Sequence, residues 1–250
     1  MKARPAWLKQ ALRLGALVLL CVLALQLVFV ARIALMAVVD PQSTTFQRSE
    51  AWRLLVEKRQ LLWSQDWVDN DRIAAALKRA VIASEDGAFN EHRGVDWDSI
   101  EKAWGRNQRA EARVERQAQR PSARPAAAKL VGGSTITQQL AKNLFLSGER
   151  TVLRKAQELV LSITLEALLS KRRILEIYLN NVEWGEGVFG AQAAARHYYR
   201  VDADRLGAEQ AARLAVMLPA PKRFEKRPGS PYVVGRAATI VARMGGVELP

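Results

Sequence analysis

The chain has one cysteine, Cys21, among 250 residues. It can form no intramolecular disulfide and no zinc site of paired cysteines, so its core must be held by packing. It also lacks any apolar–polar alternation long enough to read as a half-buried strand, which leaves a mainly helical fold as the expectation. Between Leu14 and Ala31 it lacks charge altogether, eighteen consecutive positions in which only Gln26 is strongly polar. What it has in excess is positive charge, a formal net +13, alongside 49% hydrophobic residues. That hydrophobic share excludes a mainly disordered chain, and the length suffices for one substantial core or two small ones. The sign of the charge favours an anionic partner: nucleic acid, anionic lipid or a phosphorylated substrate. The aromatics are not interleaved with the cations as base-stacking platforms require, which argues against nucleic acid.

The charge-free run follows Lys2, Arg4, Lys9 and Arg13. It is nearly as long as a bilayer span and exceeds the ~7–15 apolar residues of a cleaved signal peptide. Residues 1–13 read as a basic cytoplasmic N-terminus, 14–39 as a transmembrane signal anchor, and 40–49, with Pro41 and a serine-threonine run, as a linker. The positive-inside rule places residues 50–250 on the far side of the membrane. There, Ile73, Leu77, Ala80, Val81 and Ser84 recur at helical spacing, so Glu85 falls at the end of a helix. A second helical pattern runs from Thr151 to about Asn180, a third covers about Ala208 to Leu218, and a last covers about Tyr232 to Met244. A basic insert spans 105–131, with Arg106, Arg109, Arg113, Arg116 and Arg120 at spacings of three and four, followed by Arg124 and Lys129. Against these seven cations stand Glu111 and Glu115, so the insert carries a net five of the thirteen charges. It reads either as a solvated segment or as an electrostatic clamp on anionic lipid headgroups.

Three polar clusters carry the chemistry. Glu85 to Gly94 packs two acids, an aromatic, a histidine and two glycines into ten residues after an apolar helical run. In the second, Gly132 to Asn143, Thr135-Ile136-Thr137-Gln138 fits a capping box that starts a helix, where free amides attract anions. Gln138 and Lys142 then share a helical face with Asn143 beside them. In the third, Arg154 and Lys155 stand four and three residues before Glu158, an arrangement that also suits a plain surface ion pair of ~0.2–0.5 kcal/mol. Together they suggest a cleft with cations for a phosphorylated leaving group and two carboxylates, a familiar solution for glycosyl transfer and hydrolysis alike.

The clusters resemble, in order and spacing, the signature of the peptidoglycan glycosyltransferase domain of class A penicillin-binding proteins and monofunctional biosynthetic transglycosylases. Glu-Asp-x-x-Phe-x-x-His-x-Gly is matched at Glu85, Asp86, Phe89, His92 and Gly94. Gly-Gly-Ser-Thr-Ile-x-Gln-Gln-x-x-Lys-Asn is matched from Gly132 to Asn143, including Ser134, Thr135, Gln138, Gln139, Lys142 and Asn143. Arg154, Lys155 and Glu158 match the third motif, and Lys171 to Asn180 a fourth with Glu176, Tyr178 and Asn180. Asn181 to Gly190 and Leu218 to Pro221 extend the match, so the resemblance covers roughly residues 45 to 245.

The resemblance implies a lysozyme-like bilobed domain with a small membrane-proximal jaw lobe, preceded by one transmembrane helix in the bacterial inner membrane, with the domain on the periplasmic side. It implies polymerisation of lipid II into β-1,4 glycan with inversion and release of undecaprenyl diphosphate. Glu85 and Glu158 are then the expected catalytic pair, Glu85 as general base. Ser134, Thr135, Gln138, Gln139, Lys142, Asn143, Arg154 and Lys155 bind substrate, while Asp86, Phe89, His92, Gly94, Glu176, Tyr178 and Asn180 support the site. A divalent cation, Mg or Mn, is expected at the diphosphate, and cell-wall synthesis and division proteins as partners. Only 26 residues follow Phe224, and Ser99-Ile100-Glu101-Lys102 lacks the companion Ser-Asp-Asn and Lys-Thr-Gly of a transpeptidase, so a monofunctional enzyme is expected. A lytic glycoside hydrolase is the competing enzyme, although a sugar leaving group has no need of Lys142, Arg154 and Lys155. A non-enzymatic basic binding module is the competitor outside catalysis.

Overall fold

In the computed structural model, which describes residues 6–118, 132–149 and 151–250, the apolar run is one helix, α1 (Ala6–Leu35). Residues 7–35 are long and apolar enough to cross a membrane, with a mean hydropathy of 2.8. At ~1.5 Å per residue a 30-residue helix exceeds a hydrocarbon core of ~30 Å. The surplus is at its C-terminal end, which docks on the domain. Gln26 and Gln157 exchange side-chain amide hydrogen bonds at 2.9 and 3.1 Å, and Phe29 meets Phe145 edge-on with centroids 5.3 Å apart. Ile33 is fully buried and Met36 nearly so. The anchor expected to reach residue 39 therefore ends as helix at Leu35, and Ile33 and Met36, read as further membrane-facing surface, belong to the domain core.

The linker expected at 40–49 also differs. Thr44 and Gln47 are fully buried and form a capping box, Gln47 N donating to Thr44 Oγ1 at 3.0 Å and Thr44 N to Gln47 Oε1 at 2.7 Å. The serine-threonine run that reads as a flexible exit is a helix start, because the same hydroxyls that favour turns satisfy free amides at an N-terminus. Only a short turn separates the two helices. Arg173 pins it, donating to Met36 O at 2.8 Å and to Asp40 Oδ1 at 2.6 Å.

After α2 (Thr45–Arg53) the order is β1 (Ser64–Gln65), α3 (Ala75–Glu85), α4 (Trp97–Ala118), α5 (Ile136–Phe145), α6 (Val152–Leu168), α7 (Lys171–Asn181), β2 (Glu183–Gly185), β3 (Val188–Phe189), α8 (Ala191–Tyr199), α9 (Ala208–Met217), α10 (Pro221–Phe224) and α11 (Pro231–Met244). The domain is mainly helical, as expected. The single pattern from Thr151 to Asn180 is two helices: Leu169 is extended, and Ser170 caps α7 by accepting from Arg173 N at 3.2 Å. The apolar spacing runs on across this break, which is why periodicity alone misses it.

One core joins α3, α9 and α11 to α5, α6 and α7 through residues such as Leu77, Leu140, Leu165, Ile177 and Leu214. A small sheet closes one end, β3 lying between β1 (parallel) and β2 (antiparallel). Gly187 joins β2 to β3 at φ +74°, with Leu62 O only 2.1 Å from where a Cβ would stand. No other residue type fits there. Helix α4 packs by its first turns, where Asp96 Oδ1 accepts from Ser99 N at 2.8 Å and Ala103 is buried, while Lys102, Arg106, Arg109, Arg113 and Arg116 are exposed. The basic segment expected from residue 105 thus begins inside a longer helix. Arg120, Arg124 and Lys129, like Lys2 and Arg4, lie outside the described residues.

Candidate active site

Glu85 is the last residue of α3, and half-buried. Burial pushes its pKa up and the charge of Asp86 adds to this, while hydrogen bonds from Gln139 and Ser84 hold it back. Gln139 Nε2 donates to Glu85 Oε2 at 3.0 Å. The amide is oriented from its other end, where the buried Tyr178 hydroxyl donates to Gln139 Oε1 at 3.0 Å. Burial raises the Tyr178 pKa well above its usual value, Glu85 and Asp86 adding to it, so the phenol stays a donor.

The loop after Glu85 is tied to the start of α5. Asp86 is buried, its Oδ2 accepting from Ile136 N at 2.9 Å and its Oδ1 from His92 Nε2 at 2.9 Å. Gly94 N donates to His92 Nδ1 at 3.2 Å, which fixes the ring as the Nε2-protonated tautomer. Thr135 caps α5 in the expected box with Gln138, and its hydroxyl donates to Gly94 O at 2.7 Å. Gly94 has φ +85°, and Ser162 O lies 3.0 Å from where a Cβ would stand, so a side chain would push the loop off α6. Phe89 is buried beneath Lys171, whose ammonium lies 4.5 Å from the ring centroid. Lys171 also donates to Glu166 Oε1 at 2.8 Å, as does Thr137 Oγ1 at 2.6 Å. Glu166 is a site support that the motifs did not single out.

Across α5 lies a cleft of about 440 Å³, lined by Ser134, Gln138, Gln139, Lys142, Asn143, Arg154, Lys155 and Glu158. All eight residues were expected at the site from sequence. Glu158 is 3% exposed; Arg154 Nη1 donates to its Oε2 at 2.8 Å and Lys155 Nζ pairs with its Oε1. Glu158, expected as one of a catalytic pair, has a cation on each carboxylate oxygen. Arg154 Nε is buried without a partner among the described residues. Crowding by the cleft wall lowers the pKa of Lys142, Arg154 and Lys155 push the same way, and Glu158 opposes them. Glu85 does not line this cleft. It reaches it through Gln139, which belongs to both.

Glu50 also lines the cleft, unsignalled by any motif. Its Oε2 accepts from Arg53 Nε at 2.9 Å and from Lys222, whose ammonium lies 3.6 Å from the buried Glu183. Burial pushes Glu183 up to about 7 against the pull of Lys222. Glu176 and Asn180, expected as supports, hold the segment before α3: Glu176 Oε1 accepts from Asn70 N at 2.9 Å, and Asn180 exchanges hydrogen bonds with the Val68 backbone at 2.9 and 3.0 Å.

The Mg or Mn ion expected at the diphosphate finds no ready ligand set. No group of three His, Cys, Asp or Glu side chains suited to a metal occurs among the described residues. The one carboxylate on the cationic wall, Glu158, already holds two cations. The donor chemistry of Lys142, Arg154 and Lys155 suits direct contact with an anion.

A family model described as Transglycosylase matches residues 55–245. A biosynthetic peptidoglycan transglycosylase of Paraburkholderia phytofirmans is 48% identical over 248 residues, 99% of this chain and 97% of that protein. One of Burkholderia pseudomallei is 52% identical over 228 residues, 91% of this chain and 83% of that protein. The matched region holds α3, α5 and the paired cations of α6.

Proposed function

The chain belongs to the transglycosylase family, the enzymes that polymerise the glycan of peptidoglycan, and on that premise we propose how its lysozyme-like helical domain divides the reaction between two sides of α5. The lipid-linked donor binds with its diphosphate against Lys142, Arg154 and Lys155. The acceptor sugar lies on the Glu85 side. Glu85 takes the proton from the acceptor hydroxyl as that oxygen bonds to the donor anomeric carbon; the carbon–oxygen bond to phosphate breaks on the opposite face, its electron pair leaving with the diphosphate. The anomeric configuration inverts. A raised pKa suits Glu85 to this task, because a base closer to neutrality takes the proton more readily. The cations bind more tightly as charge develops on the leaving group.

Gln139 carries this reading: one side chain both donates to the base and lines the cationic cleft. The cations Lys142, Arg154 and Lys155 along the cleft favour a phosphorylated leaving group over the neutral one of a lytic hydrolase. The docking of Gln26 on Gln157 favours a donor drawn from the bilayer, since it sets the first turns of α6 near the level where α1 leaves it. We take the membrane to be the bacterial inner membrane and the domain to be periplasmic.

Labelled lipid II incubated with the detergent-solubilised chain tests the reading. We expect strand growth by the wild type, and a loss on the order of 10²–10⁴-fold in Glu85→Gln with helical circular dichroism retained. Shortening of preformed glycan without growth would make the enzyme a hydrolase, and growth by Glu85→Gln at the wild-type rate would remove Glu85 as the base.

A further inference from the structure

The first turns of α4 separate two hollows. On one side Ile100, Ala103 and Trp104 face Ser134, Gln138 and Lys155, continuing the donor cleft. On the other, a cavity of about 650 Å³ is lined by His92 and Arg93 of the loop after Glu85, by Asp96 and Lys102, and by Ile163 of α6. Lys102 also begins the basic stripe. Lys102, Arg106, Arg109, Arg113 and Arg116 follow one another at spacings of four, three, four and three, so they share one face of α4 and all are exposed. Fourteen residues at ~1.5 Å each carry the stripe ~21 Å from the cavity. None of the five has a carboxylate within ion-pairing distance among the described residues, and Glu111 and Glu115 lie on the opposite face. The cavity itself is mixed in sign, holding Glu91, Asp96 and Asp98. The net attraction for anions therefore lies along the stripe.

Resting on the polymerase reading above, we infer that the basic face of α4 binds the anionic stem peptides of the growing glycan where the strand runs past the first turns of that helix. The donor's diphosphate has its own cations across α5, so the stripe is not needed for it. Each disaccharide unit added carries one peptide, attached through its N-terminus and ending in a free carboxylate. A lengthening strand thus presents carboxylates in series to cations in series. Contacts of this kind hold product between additions without touching the reacting atoms, so they act on strand length rather than on each bond formed. An anionic bilayer is the other polymer of charge at hand. The residues that dock the anchor, Gln157 and Phe145, belong to neither α4 nor the hollows beside it.

The test uses the full chain carrying Arg106→Gln, Arg109→Gln, Arg113→Gln and Arg116→Gln together, with helicity checked by circular dichroism. With native lipid II in neutral detergent we expect the initial rate of disaccharide consumption to be kept, and mean strand length to fall roughly threefold or more, the scale of several exposed charge contacts acting together. With lipid II whose stem-peptide carboxylates are amidated, wild type and variant should make equally short strands. Added salt should shorten wild-type strands and leave those of the variant unchanged. Unchanged length in the variant, or an equal loss on amidated lipid II, would overturn the inference. So would a length difference that appears only in anionic vesicles, which would assign the stripe to lipid. Absence of any polymer from the wild type would instead remove the reading on which the inference rests.

Discussion

Gln139 shows how one residue links two halves of a site. Its amide cannot turn over without losing the Tyr178 hydroxyl, so Nε2 is held toward Glu85 and stabilises the carboxylate against the burial that raises its pKa. The sign follows directly. The base works only when deprotonated, so the rate should rise with pH through the raised Glu85 value, above the ordinary glutamate range. Removing a donor to the carboxylate raises that value further. In Gln139→Ala we expect the acid limb of the kcat/KM profile to move to higher pH, with a smaller move in Tyr178→Phe. An unmoved limb in Gln139→Ala would sink the pairing as a functional one. The motif was plain in sequence as a glutamine pair on a capped helix. Which of the two glutamines meets the base was not, because Gln138 and Gln139 differ by about 100° around α5 and only the packing of α5 against α6 and α7 decides.

At the scale of the element, α5 is held at its start by residues far away in the chain. Thr135 accepts from Gln138 N at 3.1 Å and donates to Gly94 O, while Asp86 accepts from Ile136 N. Thr135→Ala removes a cap worth ~1 kcal/mol and strands a buried carbonyl at ~1–3 kcal/mol. We expect a loss of about 2–3 kcal/mol in urea unfolding with an unchanged slope. A loss confined to a few tenths would show that the Gly94 contact contributes little. The capping box was legible because its four residues are consecutive. The break between α6 and α7 was not, since Leu165, Leu169 and Ile174 keep an apolar face running through it and only the cap at Ser170 marks the interruption. The Thr44–Gln47 box had the opposite fate: its local chemistry fits a turn as well as a helix, and the burial of both residues, with Thr45 donating to Leu144 O of α5 and Gln47 to Asn181 O of α7, selects the helix.

On the scale of the whole molecule, the anchor and the domain form one packed body at their junction. Arg173 joins Met36 O and Asp40 to Glu176, which in turn holds the segment before α3. Its side chain is 15% exposed, so the ion pairs are partly shielded from solvent. Arg173→Ala should therefore cost about 2–3 kcal/mol, between exposed and fully buried pairs. It should also speed amide hydrogen exchange over residues 36–44; unaltered exchange there would mean the turn is held by α1 and α2 without it.

The sequence by itself determined the long apolar N-terminal helix, the helical class, the order of the motifs and nearly every side chain of the cleft, because each depends on residues close together or on a pattern of fixed period. Tertiary structure alone decided that Glu158 is sealed under its two cations, that Glu85 meets the cleft only through Gln139, and that Glu50, Glu166 and Lys222 join the site. It also decided where the apolar N-terminal helix gives way to the domain core. These are outcomes of which faces pack together and which carboxylates lose water, and desolvation depends on distant parts of the chain that no local pattern records.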